Sequence, residues 1–127
     1  APVDLERLHM KALLLIAHGS RKQSSNAEVA QLAQKIAKLD HSFELVNHGF
    51  LELTTPSAND ALAKLVEEGA THMTVLPYFL AAGHHVISDF PEIMGKAQQD
   101  FPDVEFKLLP HLGAMEGMAQ WIIELSE

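Results

Sequence analysis

The chain alternates between two kinds of segment, and this constrains its fold more than any other feature. Short strand-like runs are separated by stretches whose apolar residues recur every three or four positions. Lys11 to Ala17 reads as a buried strand stopped by Gly19, and Ser24 to Leu39 as an amphipathic helix with Val29, Leu32, Ala33, Ile36 and Leu39 on one stripe. Phe43 to Phe50 reads as a second strand, in which Phe43, Leu45 and Asn47 alternate with Glu44, Val46 and His48. Thr54-Thr55-Pro56 carries a cap and an early proline, so it is expected to open a helix that runs to Glu68 and stops at Gly69. Thr71 to Leu80 is the third strand, and Pro77 within it signals an edge, a bulge or a nearby end. Asp89-Phe90-Pro91-Glu92 is expected to open the third helix with Asp89 as its cap, and this helix closes near Phe101-Pro102. Val104 to Leu109 and Met115 to Leu125 complete the pattern, the latter with Met118, Trp121, Ile122 and Leu125 on one face.

Four βα units with right-handed crossovers predict an α/β fold in three layers: a four-stranded parallel sheet of order 2-1-3-4 with helices on both faces. Residues 1–10 are expected to be an N-terminal tail and 11–127 a single domain, and Met10 is a candidate natural start. The methionines and Trp121 read as core. No apolar run approaches the ~20 residues of a bilayer span, and the start carries no basic-then-apolar leader. A cytoplasmic protein is therefore expected, with no membrane partner. The net charge of −8, with nine scattered Lys and Arg, argues against nucleic acid. The chain has no cysteine, which leaves His, Asp, Glu or a substrate to hold any metal.

In open parallel sheets, ligands bind beyond the carboxyl ends of the strands. The first strand ends at His18 and the third leads to His84-His85. Neighbouring strands lie about 4.8 Å apart, so imidazoles from adjacent strand ends can converge on one ion. Glu52, after the second strand, sits on the other flank, where it can accept protons, orient an imidazole or bind a metal. Singly, each has a plain structural role: a hydrogen-bonded loop histidine or a solvated glutamate. His9, His41 and His72 read as surface residues, His48 as structural or solvated, and His111 lies on the same edge without further signal. Joint placement on one edge is what favours a metal or proton-transfer site.

These residues also carry a resemblance. The segments Ala17-His18-Gly19-Ser20-Arg21, Gly49-Phe50-Leu51-Glu52 with Pro56, and Pro77-Tyr78-Phe79-Leu80 with Gly83-x-His85-x-x-x-Asp89-x-Pro91 are similar to the small CbiX-type chelatases, which are related to SirB. The resemblance covers nearly all of the chain after Met10. It implies insertion of a divalent metal, cobalt or iron with nickel as a further candidate, into the tetrapyrrole sirohydrochlorin, in cobalamin or siroheme biosynthesis, with no organic cofactor. It implies His18 and His85 as metal ligands, with Glu52 completing the catalytic set. Ser20, Arg21, Gly83 and His84 are the implied tetrapyrrole-contacting positions, with Lys22 also placed to meet some of its eight carboxylates. It further implies the half-length form of the family, pairing as a homodimer. Relatives carry a Gly-Pro-His-Pro element after the last strand, whereas this chain has Gly113-Ala114-Met115-Glu116, so no histidine role is carried to that place. A non-catalytic metal or tetrapyrrole carrier is the alternative. A histidine phosphatase is disfavoured, because Ala17 stands where that chemistry needs arginine before the histidine.

Overall fold

The computed structural model describes residues 9–127, and within them the side chains of residues 84–87 lie outside the described set. The elements run β1 (Lys11–Ala17), α1 (Gln23–Lys38), β2 (Leu45–Phe50), α2 (Ala58–Glu67), β3 (His72–Pro77), α3 (His84–Asp100), β4 (Glu105–Leu108) and α4 (Glu116–Ser126), with a 3-10 turn at Leu112–Ala114. All four strands are parallel, in the order β2-β1-β3-β4. The alternating sequence pattern therefore yields the expected topology.

The two-residue period of a strand divides β1 between two faces. Ala12, Leu14 and Ile16 join Met73 and Val75 of β3 against Ala61, Leu62 and Leu65 of α2 and Phe90, Met94 and Ala97 of α3. On the other face Ala17 packs with Val29 of α1, Phe50 of β2 and Tyr78. Met10 is tied to the body from outside β1: its amide donates to the Thr71 hydroxyl, and its carbonyl accepts from the amides of Thr71 and His72. Residues 1–8 of the expected tail lie outside the described residues.

Several boundaries differ from the sequence expectation, each for a physical reason. The second helix opens at Ala58, not at Thr54. The Phe50 amide donates to the Pro56 carbonyl at 2.9 Å and Phe50 bridges Ser57, which holds this stretch extended beside β2. Ser57 then caps the helix, its hydroxyl accepting from the Asp60 amide. The Thr55–Pro56 bond is cis. β3 stops at Pro77 rather than Leu80, at the point where proline can no longer supply a ladder donor.

The third helix begins at His84 behind Gly83, five residues before Asp89, so Asp89 is an exposed residue inside the helix and not its cap. Pro91 lies within that helix. Burial of Phe90, Met94 and Ala97 against the sheet offsets the lost backbone bond. Trp121 is not core: no residue of α4 is buried, and the element that helix meets most is the 3-10 turn before it.

The core under α2 depends on Leu65, which is 1% exposed among tightly packed neighbours. Leu65→Ala is expected to lower the unfolding free energy by about 2–5 kcal/mol through lost transfer energy and a residual cavity. Urea denaturation measures it.

Candidate functional site

The site grows from the two loops that leave β1 and β2. Because β1 is central and pairs with β2 through Ala17–Phe50, the two chains reach the rim side by side. They stay joined beyond the strands. The Leu51 amide donates to the Ala17 carbonyl at 3.0 Å, and the Glu52 amide to the His18 carbonyl at 3.1 Å. Gly19 makes this approach possible. Its φ is +101°, a left-handed conformation, and a Cβ there would collide with the Glu52 carbonyl oxygen.

The result is a side-chain pair: His18 Nε2 lies 2.8 Å from Glu52 Oε1. Both are about half exposed, so the pair is open to solvent and to a ligand. After Glu52 the chain turns through Leu53, a non-glycine residue at φ 69°. That conformation costs roughly 1–2 kcal/mol, and here it directs the chain back toward Pro56.

The His18 loop is anchored from below by Asn26, which the sequence reading did not single out. Asn26 is the buried polar residue of α1. Its Oδ1 accepts from the Ser20 amide at 2.9 Å and its Nδ2 donates to the Ser20 carbonyl at 2.7 Å. The Ser20 hydroxyl accepts from the Lys22 amide. A signal existed in the sequence, since Asn26 sits three residues before Val29 and seven before Ala33, on the buried stripe of the helix. Ser20 thus shapes the loop, while Arg21 and Lys22 stand exposed at its tip.

The other expected site residues lie at the start of α3. Gly83 occupies the cap position, and His84 and His85 begin the first helical turn rather than the end of β3. Their side chains lie outside the described residues. No group of three or more His, Cys, Asp or Glu converges on a metal position among the described residues. Asp89 and Glu92 of α3 line a small hollow of about 230 Å³ with Ser57, the cap of α2, and Asn59 of that helix.

The remaining histidines divide by surroundings. His111, after β4, stacks on Phe79 with ring centroids 5.8 Å apart. His72, at the opposite end of the sheet, is half-buried. It stacks on His9, shares a hydrogen bond with Thr71 Oγ1 and lies 3.1 Å from Glu105 Oε2. His48 is half-buried edge-on to Phe50, and burial lowers its pKa.

A parallel α/β domain with a histidine–carboxylate pair at its carboxyl rim belongs to the class that binds ligands beyond the strand ends. The family model described as CbiX matches residues 12–127, and the chain belongs to that family. The sirohydrochlorin cobaltochelatase of Methanocaldococcus jannaschii is 38% identical over 86 residues, covering 68% of this chain and 59% of that protein. The chloroplastic sirohydrochlorin ferrochelatase of Arabidopsis thaliana is 30% identical over 101 residues, covering 80% of this chain and 44% of that protein. The chain thus spans 44% to 59% of the length of these relatives. The crystal structure of the sirohydrochlorin chelatase SirB from Bacillus subtilis subspecies spizizenii in complex with cobalt superposes with a TM-score of 0.74 at 26% identity, covering 91% of this chain and 49% of that one. No described helix is long and apolar enough to cross a membrane.

Two predictions test these surroundings. Gly19→Ala forces a side chain into the Glu52 carbonyl at a left-handed φ, so it is expected to cost more than about 1 kcal/mol and to displace the His18 ring signals in NMR. His48 is expected to titrate below the ordinary imidazole value of 6.5. With the folded pKa lowered, the unfolded chain binds the proton first, so the contribution of neutral His48 to stability is present above pH ~6.5 and is lost as pH falls toward the lowered value. An NMR pH titration follows the ring directly.

Proposed function

We propose that this protein inserts a divalent metal, cobalt or iron, into sirohydrochlorin at the rim formed by His18, Glu52 and the start of α3. The observation that carries the reading is the His18–Glu52 contact at 2.8 Å, held by backbone pairing of their two loops. Family membership supports it, as do the names of the cobalt and iron chelatases the chain resembles.

Insertion exchanges one M²⁺ for the two pyrrole N–H protons of the macrocycle, so the site must hold a metal loosely and accept protons. His18 and His85 are the proposed ligands. Two neutral imidazoles leave open coordination positions that ring nitrogens can fill. With His18 Nε2 turned to Glu52, an Nε2–H would donate to the carboxylate, and Nδ1 would be the ring atom left to hold a metal. Glu52 thereby fixes the tautomer and raises the basicity of the ring. As the macrocycle replaces water on the ion, Glu52 takes one pyrrole proton and releases it to solvent, and the second proton leaves by the same exposed carboxylate. Arg21 and Lys22 at the loop tip are proposed to meet peripheral carboxylates, with Ser20, Gly83 and His84 as further contacts. A homodimer, with the tetrapyrrole between copies, is part of the same proposal.

Purified protein with sirohydrochlorin and Co²⁺ is expected to accelerate the absorbance change of metal insertion over the rate without protein. His18→Ala and His85→Ala should abolish the acceleration with circular dichroism unchanged, and Glu52→Gln should lower it about 10²–10⁴-fold. Full activity in both histidine variants would overturn the assignment. Metal binding without acceleration would convert it to a carrier. Rates for Co²⁺, Fe²⁺ and Ni²⁺ measured side by side assign the metal.

A further inference from the structure

His111 is a rim histidine to which the proposed reaction gives no role. It follows β4, and the stretch around it is tied to the exit of β3 at both ends. The Leu109 amide donates to the Val75 carbonyl at 2.9 Å, and the Gly113 amide to the Phe79 carbonyl at 3.2 Å. A Cβ at Gly113 would collide with the Leu80 carbonyl, so the turn needs glycine for this approach. The imidazole itself is held by stacking. It lies on Phe79 at an interplanar angle of 23°, and the Phe79 ring lies 6.0 Å from that of Phe90, which is buried between α3 and the sheet. The three rings form a column from the core to the rim, and the outermost one is His111. Stacking engages the face of the imidazole and leaves its nitrogens at the edge. Among the described residues none hydrogen-bonds either nitrogen. A half-buried imidazole held in one plane without a polar partner is placed to meet a ligand.

Strand order and charge say what that ligand is. Across the rim from β2 to β4 come Glu52, His18, the Tyr78–Leu80 exit of β3 and His111. His18 and His111 thus stand about two strand spacings apart, roughly 10 Å. A macrocycle centred on His18 carries its peripheral carboxylates across that gap. Positive charge is confined to one side of it. Arg21 and Lys22 stand beyond β1, whereas residues 78–92 and 108–127 contain no Lys or Arg, in a chain of net charge −8. Carboxylates that fall on the β4 side therefore need a neutral donor or a histidine, and an imidazole keeps at least one N–H in either protonation state. From these features we infer that His111 is a substrate-recognition residue, whose N–H donates to a peripheral carboxylate of the tetrapyrrole on the side away from Arg21 and Lys22. The inference rests on the function proposed above and adds a binding contact to it. His111 precedes Gly113, so it is distinct from the histidine that relatives carry after that glycine. The contact is remote from the metal and the pyrrole nitrogens. It holds the macrocycle equally before and during insertion, so its loss raises KM and spares kcat.

Two substitutions separate recognition from packing, read by binding of metal-free sirohydrochlorin and by initial rates with Co²⁺. His111→Phe keeps a ring to stack on Phe79 and removes the N–H. It is expected to weaken binding and raise KM roughly 10-fold or more, as for one hydrogen bond to a charged group, with kcat within about twofold of the wild type. His111→Gln returns an N–H without the aromatic face and should recover most of the affinity. Circular dichroism should be unchanged in both. The difference between the wild type and His111→Phe should vanish with the fully methylated ester of sirohydrochlorin. A difference that persists with the ester gives the N–H another partner and overturns the carboxylate contact. A residue that only packs gives the reverse order, with His111→Phe like the wild type and His111→Gln impaired, and that order also overturns the inference. So does a loss of kcat at unchanged KM in His111→Phe. A wild type that neither binds sirohydrochlorin nor accelerates insertion overturns the proposed function and this contact together. An active wild type matched by His111→Phe overturns the contact alone.

Discussion

Two hydrogen bonds beyond the end of the β1–β2 ladder govern the rest of the rim. The amides of Leu51 and Glu52 continue onto the carbonyls of Ala17 and His18, so the two loops leave the sheet as one unit. Without that continuation, His18 and Glu52 would sit on separate flexible segments, and an exposed ion pair gains little in water. With it, their side chains start from neighbouring backbone positions, and less conformational entropy is lost on meeting. Gly19 is the residue type the arrangement requires, because the Glu52 carbonyl occupies the space of a Cβ.

Support for the pair is layered. Asn26, buried on α1, satisfies both backbone groups of Ser20, which ties the loop to the helix that follows it. Leu53, in a left-handed conformation, turns the other loop toward α2, where Ser57 caps the next helix. Polar groups that would otherwise be orphaned beside the core are thereby partnered, and the His18 imidazole and Glu52 carboxylate are left open to solvent.

Much of this was legible in the sequence because the governing signals are local. The period of the apolar residues gave the strands, and βα alternation with the crossover rule gave their order. Placing His18 and Glu52 on one edge followed from topology alone. What was not legible depends on tertiary contact. The local pattern places a cap at Thr54, but Phe50 pairs with the Pro56–Ser57 stretch and delays the helix. Asp89-x-Pro91 looks like a helix start, but Phe90, Met94 and Ala97 bury against the sheet within a helix already under way from His84. Trp121 had the spacing of a core residue. No pattern within one chain tells whether such a stripe meets its own sheet or another molecule.

The attachment of α4 has a consequence for how the family can vary. The turn at Gly113 grips Leu80 through main-chain atoms, while the hydrophobic interior closes among the strands and the other helices. The final helix is therefore an appended module whose side chains can be exchanged at small cost to the interior. Its side chains can change while the rim that carries His18 and Glu52 stays as it is.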